Sequence, residues 1–97
     1  MQTMVTLRLE VEREEDLYVA HCPELDISSY GDTVEDAFDH LKDAIVLYLD
    51  TIEQNGERER IFRERGISVE DRVETSYRTT LSPDVYATVG RFPVGAA

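Results

Sequence analysis

This sequence of 97 residues has little of what several protein classes depend on. It has no tryptophan and one cysteine, Cys22, which cannot form an internal disulfide or build a structural zinc site alone. We interpret Cys22 as a small, half-buried strand residue rather than a nucleophile. It has no run of about 18 apolar residues that could span a bilayer. Its first residues lack the basic and apolar regions of a signal peptide, so we expect a cytoplasmic protein.

Basic residues are also scarce. Nine arginines and one lysine stand against 21 acidic residues, which gives a net charge of −11. Such a charge repels phosphate backbones and therefore argues against direct binding of nucleic acid, whereas it favours a basic partner. A surface adapted to a salt-rich cytoplasm explains the same composition, and the sequence leaves both explanations open.

The first thirty residues have the pattern of a small antiparallel sheet. Apolar and polar side chains alternate from Val5 to Val11, as in a strand with one buried face. A charged break at residues 13–16 precedes a second strand at residues 17–22, which together indicate a hairpin. Pro23 should end that strand, because it lacks a backbone donor. A short third strand at residues 26–30 and a turn at Gly31 follow.

The strongest local pattern is a helix at residues 34–54. Thr33 is the expected N-cap, and Asn55-Gly56 supplies the C-terminal stop. The apolar stripe is wide enough to cover a sheet, and its members are Val34, Ala37, Phe38, Leu41, Ala44, Ile45, Tyr48, Leu49 and Ile52. Val46 and Leu47 lie outside the stripe on an otherwise charged arc, so we expect them at an oligomer interface.

The remaining chain is less regular. Glu57 to Arg65 predicts a short second helix anchored by Ile61 and Phe62. Residues 69–80 fit either a polar helical turn or an extended segment, and residues 81–83 break the chain before a last strand at 85–89. We expect a single α+β domain over residues 1–90 and a flexible tail at 91–97. A three-stranded antiparallel sheet and one further strand would have a long helix on one face.

An ordered set of short motifs resembles the HicB-like antitoxin family over Val5 to Ile52. The matching positions are Tyr18, Val19, Ala20, Pro23, Glu24, Leu25, Gly31, Asp32, Thr33, Glu35, Asp36, Ala37, Leu41, Ala44, Ile45, Tyr48 and Leu49. The resemblance implies a degenerate RNase H-like fold of order β-β-β-α-β. It also implies an antitoxin of a type II toxin-antitoxin system, which masks a small basic mRNA-cleaving toxin (HicA-like). The chain departs from the family at residues 26–29, which replace a common Gly-Cys, and residues 67–97 show no DNA-binding module.

For partner binding we single out the aromatic residues and the loop between the second and third strands: Tyr18, Pro23, Glu24, Leu25 and Tyr30. An acidic surface beside these residues would attract a basic protein, and buried tyrosines would supply affinity. Each residue also has a plain structural interpretation, with the tyrosines packed on the sheet and Pro23 ending a strand. The alternative function is an orphan relative whose homodimer or tetramer binds a small ligand or another protein.

Catalysis is not expected, and we predict no enzyme, no cofactor and no metal. A nuclease would need converging carboxylates, for which Glu10, Asp32 and Asp36 are candidates, but their spacing matches no specific metal motif. His21 and His40 are interpreted as structural residues, because the sequence fixes no nucleophile next to either.

Overall fold

In a computed structural model, the described residues form three strands, two helices and three further strands, in that order. The structure describes residues 4–67, 69–70, 78–82 and 85–94. The elements are β1 (Met4–Glu14), β2 (Leu17–Cys22), β3 (Ile27–Gly31), α1 (Val34–Gln54), α2 (Arg58–Arg65), β4 (Val69–Glu70), β5 (Arg78–Ser82) and β6 (Val85–Pro93).

The described strands form one antiparallel sheet of order β3-β2-β1-β6-β5, with β4 paired to the start of β1. β1 is central and pairs with β6 over nine residue pairs, from Met4↔Pro93 to Glu12↔Val85. The α+β class and the long helix on one face are confirmed. The sheet is wider than the four strands that the sequence predicts, since β4 and β5 join it.

The core lies between the sheet and the helices. The alternating residues of β1 are fully buried, as their period predicts, and both helices pack on that side. Its members are Val5, Leu7, Leu9, Val11, Ala20, Cys22, Leu25, Ala37, Phe38, Leu41, Ile45, Leu49, Ile52, Ile61, Phe62, Phe92 and Val94. The β1-β2 hairpin turns at Glu15, whose φ of 55° is left-handed.

Helix α1 begins and ends where its capping residues predict. The Thr33 hydroxyl accepts a hydrogen bond from the backbone N–H of Asp36 at 3.0 Å. At the other end Asn55 is the C-cap, and Gly56 follows with a φ of 71°. The short helix α2 is also confirmed, with Ile61 and Phe62 in the core.

The predicted tail from residue 91 is wrong for its first four residues. Arg91 to Pro93 continue β6, and Val94 is buried. Gly90, which suggests an end to the strand, is required inside it, because an added Cβ would lie 2.9 Å from the Leu9 side chain and 2.8 Å from the Phe92 ring. Residues 95–97 lie outside the described residues.

Residues 69–80, whose pattern fits either a helical turn or an extended segment, contribute the two-residue strand β4 and the start of β5. Residues 71–77 lie outside the described part of the chain. The predicted break at residues 81–83 falls at the end of β5, where the pairing with β6 shifts register between Thr80 and Ser82.

Candidate functional site

One face of the sheet carries the exposed side chains, while both helices pack on the other. The strand register assigns residues to this side, which we call the open face. Its members are Thr6, Arg8, Glu10, Glu12, Glu14, Leu17, Val19, His21, Ser28, Tyr30, Ala87, Val89 and Arg91. An antiparallel sheet can leave one face to solvent, so the fold needs no cover here.

Three carboxylates follow one another along the open face of β1. Glu10, Glu12 and Glu14, here called the acidic patch, line a concave site of about 260 Å³ together with Val19 and His21. Alternate residues of a strand lie on the same face, so the period of β1 places these charges side by side. The concave site therefore combines negative charge with an apolar wall.

Tyr30 stands beside this site on the edge strand β3. It pairs in register with Val19, and the residue is 65 % exposed. Leu17 is 40 % exposed and pairs with Glu14. An exposed aromatic side chain next to apolar and acidic neighbours is the kind of anchor that interfaces use.

Three of the other four residues singled out for partner binding, Tyr18, Glu24 and Leu25, have structural contacts. Leu25 is 3 % exposed and belongs to the core, and Tyr18 packs against the core from the covered face. Both carboxylate oxygens of Glu24 accept from the backbone N–H of Arg8, each at 3.2 Å. Pro23 is half-buried. The structure thus places Tyr30, but not the other four, on the open face.

The loop that carries these residues is tightly fixed. Its backbone closes through a hydrogen bond from the Asp26 N–H to the Cys22 carbonyl at 2.8 Å, and Asp26 has a left-handed φ of 56°. The Arg65 guanidinium donates to the Glu24 carbonyl at 3.4 Å. Pro23 ends β2, as predicted, and the chain resumes as β3 four residues later.

The histidines make short polar contacts at the edge of the sheet. His21 Nδ1 lies 2.7 Å from Ser28 Oγ, and its Nε2 lies 3.9 Å from an Asp26 carboxylate oxygen. This hydroxyl contact is not predictable from the residues next to His21, because it is made across the β2-β3 pair. His40 Nδ1 lies 2.7 Å from the Tyr30 carbonyl, so this helix residue donates to the edge strand when Nδ1 is protonated.

Cys22 is less reactive than an exposed thiol. Its side chain is fully buried, not half-buried as expected, and burial, reinforced by the nearby Glu24 carboxylate, raises the pKa of the Cys22 thiol to about 11. A thiol that stays protonated at neutral pH is a poor nucleophile.

The three carboxylates that the nuclease hypothesis requires lie on different elements. Glu10 lies on the open face, Asp32 follows β3, and Asp36 is in the first turn of α1. Over the described ranges, no three His, Cys, Asp or Glu side chains are grouped so that they could hold a metal ion. Over the same ranges, no helix is long and apolar enough to cross a membrane.

Two further surfaces carry exposed apolar side chains. Val46 and Leu47 on α1 are 45 % and 69 % exposed, as their position outside the stripe predicts. A second concave site of about 370 Å³ lies between α2 and β4, lined by Arg58, Glu59, Phe62, Arg63, Ile67 and Val69.

No family model, curated protein or solved structure shows significant similarity to this chain. The fold and surface define a two-layer α+β protein with an acidic, partly apolar open sheet face.

Proposed function

We propose that this protein is an antitoxin-like inhibitor that binds a small basic protein through the acidic patch and Tyr30. The observation that carries the proposal is the grouping of Glu10, Glu12 and Glu14 on the open face, beside Val19 and the exposed Tyr30. The partner that fits the motif resemblance is the mRNA-cleaving toxin of a type II toxin-antitoxin system.

The charge supports a basic partner in two ways. The net charge of −11 accelerates the encounter with a positively charged protein, and the acidic patch gives that attraction a defined location. A ribonuclease binds the RNA backbone through basic residues, so a surface that binds those residues competes with RNA. The ribonuclease would then be inhibited because its RNA-binding surface is occupied, without any catalytic step by this protein.

Tyr30 is the expected source of affinity. Exposed charges contribute mainly to rate and specificity, whereas aromatic side chains that become buried at the centre of an interface carry much of the binding energy. The edge strand holds Tyr30 in place through its pairing with Val19 and the contact between its carbonyl and His40.

The experiment needs a small basic ribonuclease that co-purifies with this protein, and the reading frame next to its gene is the first place to look for one. Glu12→Lys/Glu14→Lys should weaken the complex and restore RNA cleavage, because it reverses two charges of the acidic patch. The matched control is Asp39→Lys/Asp43→Lys, which makes the same change of net charge on exposed positions of α1. Equal loss of binding in both variants would show a non-specific charge effect and contradict the proposed site.

Tyr30→Ala provides an independent test of the anchor. It should lower affinity by about tenfold or more through faster dissociation, with little effect on association. Unchanged affinity would exclude Tyr30 from the interface.

The alternative function, an orphan relative that binds a small ligand, has one supporting observation. The concave site between α2 and β4 is lined by the apolar side chains of Phe62, Ile67 and Val69 and by the charged side chains of Arg58, Glu59 and Arg63. Arg58 already pairs with Glu53 at 3.2 Å, so Arg63 is the cation that we expect to bind an apolar carboxylate there. Titration with octanoate, followed by heteronuclear NMR, should shift Ile67 and Val69 if this proposal is correct. The absence of any shift would remove it.

A further inference from the structure

The open face of β1 carries opposite charges at equal distances from one residue. Arg8 and Glu12 are both exposed, and they lie two positions to either side of Glu10 on the same face. At about 3.3 Å per residue, each is about 7 Å from Glu10 along the strand. Consider a two-fold axis that lies above the sheet at the position of Glu10, parallel to the sheet and perpendicular to β1. Rotation about this axis exchanges the positions of Arg8 and Glu12 along the strand. The pattern is therefore self-complementary.

We propose that a second copy of this chain covers the open face, with β1 of one copy antiparallel over β1 of the other. Arg8 of each copy then lies opposite Glu12 of the other, so the contact forms twice. Face-to-face sheets pack about 10 Å apart with their strands within about 30° of alignment. A long Arg side chain and a Glu side chain that extend toward each other span such a gap.

Apolar side chains on the neighbouring strands complete the contact. Val19 on β2 and both Ala87 and Val89 on β6 flank β1 on the open face and are half-buried already. Five strands at their usual spacing make a face about 20 Å wide, and about eight residues of strand extend for about 25 Å, so the contact covers about 500 Å² per copy. That area is close to the lower limit for a specific interface, so we expect a reversible dimer.

The charge pattern favours a second copy over other occupants. A uniformly basic protein that covered the whole face would place positive charge against Arg8, and an apolar one would remove Arg8 and Glu12 from water without a partner. A second copy provides an opposite charge for both. Glu12 also belongs to the acidic patch, so the dimer and the basic partner would exclude each other; this consequence alone depends on the proposed function.

Glu10 gives the proposal a distinctive signature. The two copies of Glu10 face each other at the axis, and like charges opposed in this way weaken association. Glu10→Gln removes this repulsion and should tighten the dimer. Added salt should tighten it too, because each copy carries a net charge of −11.

Sedimentation velocity of the full chain, over a wide range of protein concentration and without any partner protein, tests the proposal. The wild type should show a monomer-dimer equilibrium. Arg8→Glu and Glu12→Arg should each weaken the dimer by about tenfold or more, and the double variant Arg8→Glu/Glu12→Arg should restore it. Lys42→Glu, which makes the same charge change as Arg8→Glu at an exposed position of α1, is the matched control and should have a much smaller effect.

Three outcomes overturn the proposal. One is a monomer at every concentration, and another is a dimer that survives both single charge reversals. The third is a dimer that Leu47→Asp dissociates while Arg8→Glu does not, which places the interface on α1. Circular dichroism of each variant shows that the fold is retained. Because no basic protein is present, failure here leaves the proposed function intact, and failure of toxin binding leaves the dimer intact.

Discussion

Gly31 ends β3 where the chain comes close to the first turn of α1. A Cβ at this position would lie 2.7 Å from the Ala37 backbone nitrogen and 2.7 Å from the Asp36 Cβ, closer than such atoms normally approach. Gly31→Ala should therefore lower the free energy of unfolding by about 1–3 kcal/mol, measured by urea denaturation.

Gly56→Ala is the control for this prediction. Gly56 has a φ of 71° with no atom within 4 Å of the added Cβ, so its cost is only that of left-handed backbone, about 1 kcal/mol. If Gly31→Ala destabilises the protein no more than Gly56→Ala does, that result would contradict the close approach of β3 to the first turn of α1.

Glu24 replaces a missing strand partner. β2 pairs with β1 from Glu10 onward and β4 pairs with Met4 and Val5, so the Arg8 N–H lies between the two paired stretches and donates to Glu24. Glu24→Ala leaves this donor without its acceptor and should cost about 1–2 kcal/mol of stability by urea denaturation. Glu24→Gln keeps an amide oxygen and should cost less than half as much; equal costs would show that the hydrogen bond is unimportant.

Cys22 gives the protein a defined response to alkaline pH. Its folded pKa of about 11 lies above the ordinary value of 9.0, so its contribution to stability is complete below pH 9 and is lost as the pH rises through 11. Two pKa units limit this loss to about 2.7 kcal/mol. The wild type should lose more stability than Cys22→Ala between pH 8 and pH 11, measured by urea denaturation of both. Parallel curves would contradict the raised pKa.

The helix α1 shows how local chemistry fixes the limits of an element. Thr33 caps its first turn, and Thr33→Ala should lower stability by about 1 kcal/mol in thermal or urea unfolding, because the Asp36 N–H loses its acceptor. Thr33→Ser keeps the hydroxyl and should stay near wild type. A Thr33→Ser variant as unstable as Thr33→Ala would mean that the methyl group matters more than the cap.

The same locality explains which elements the sequence could predict. The limits of α1 depend on Thr33, Asn55 and Gly56 and on a 3.6-residue period, all within one stretch of chain. β5 depends on pairing with β6, and its polar sequence has no clear alternation, so nothing local identified it. The end of β6 was missed for a related reason, since the need for glycine at position 90 arises from Leu9 on another strand.

The open face is a property of the whole molecule, and sequence alone predicted only part of it. The sequence pattern points to Tyr30 for partner binding, but it assigns Glu10 and Glu12 to the polar side of the first strand and Glu14 to the charged break at residues 13–16. In the structure β1 continues to Glu14. Which polar side remains open depends on which face the helices cover, and that follows from the register of β1, β2 and β6 rather than from any motif. Leu25 shows the opposite error, because a loop residue can turn inward and join the core.

The net charge of −11 also acts on the molecule as a whole, and salt separates its two explanations. Acidic side chains on the exposed arc of α1, such as Asp39 and Asp43 at i and i+4, repel each other and weaken the fold at low ionic strength. If the acidity serves a basic partner, added NaCl should raise the free energy of unfolding mainly up to about 0.3 M, where the repulsion between charges at these distances is largely screened.

Asp43→Asn should raise stability by about 0.2–0.5 kcal/mol in low salt and by less in high salt, because screening removes the same repulsion. Urea denaturation across a salt series measures both effects, and a steep gain that continues into the molar range would instead favour a surface adapted to salt.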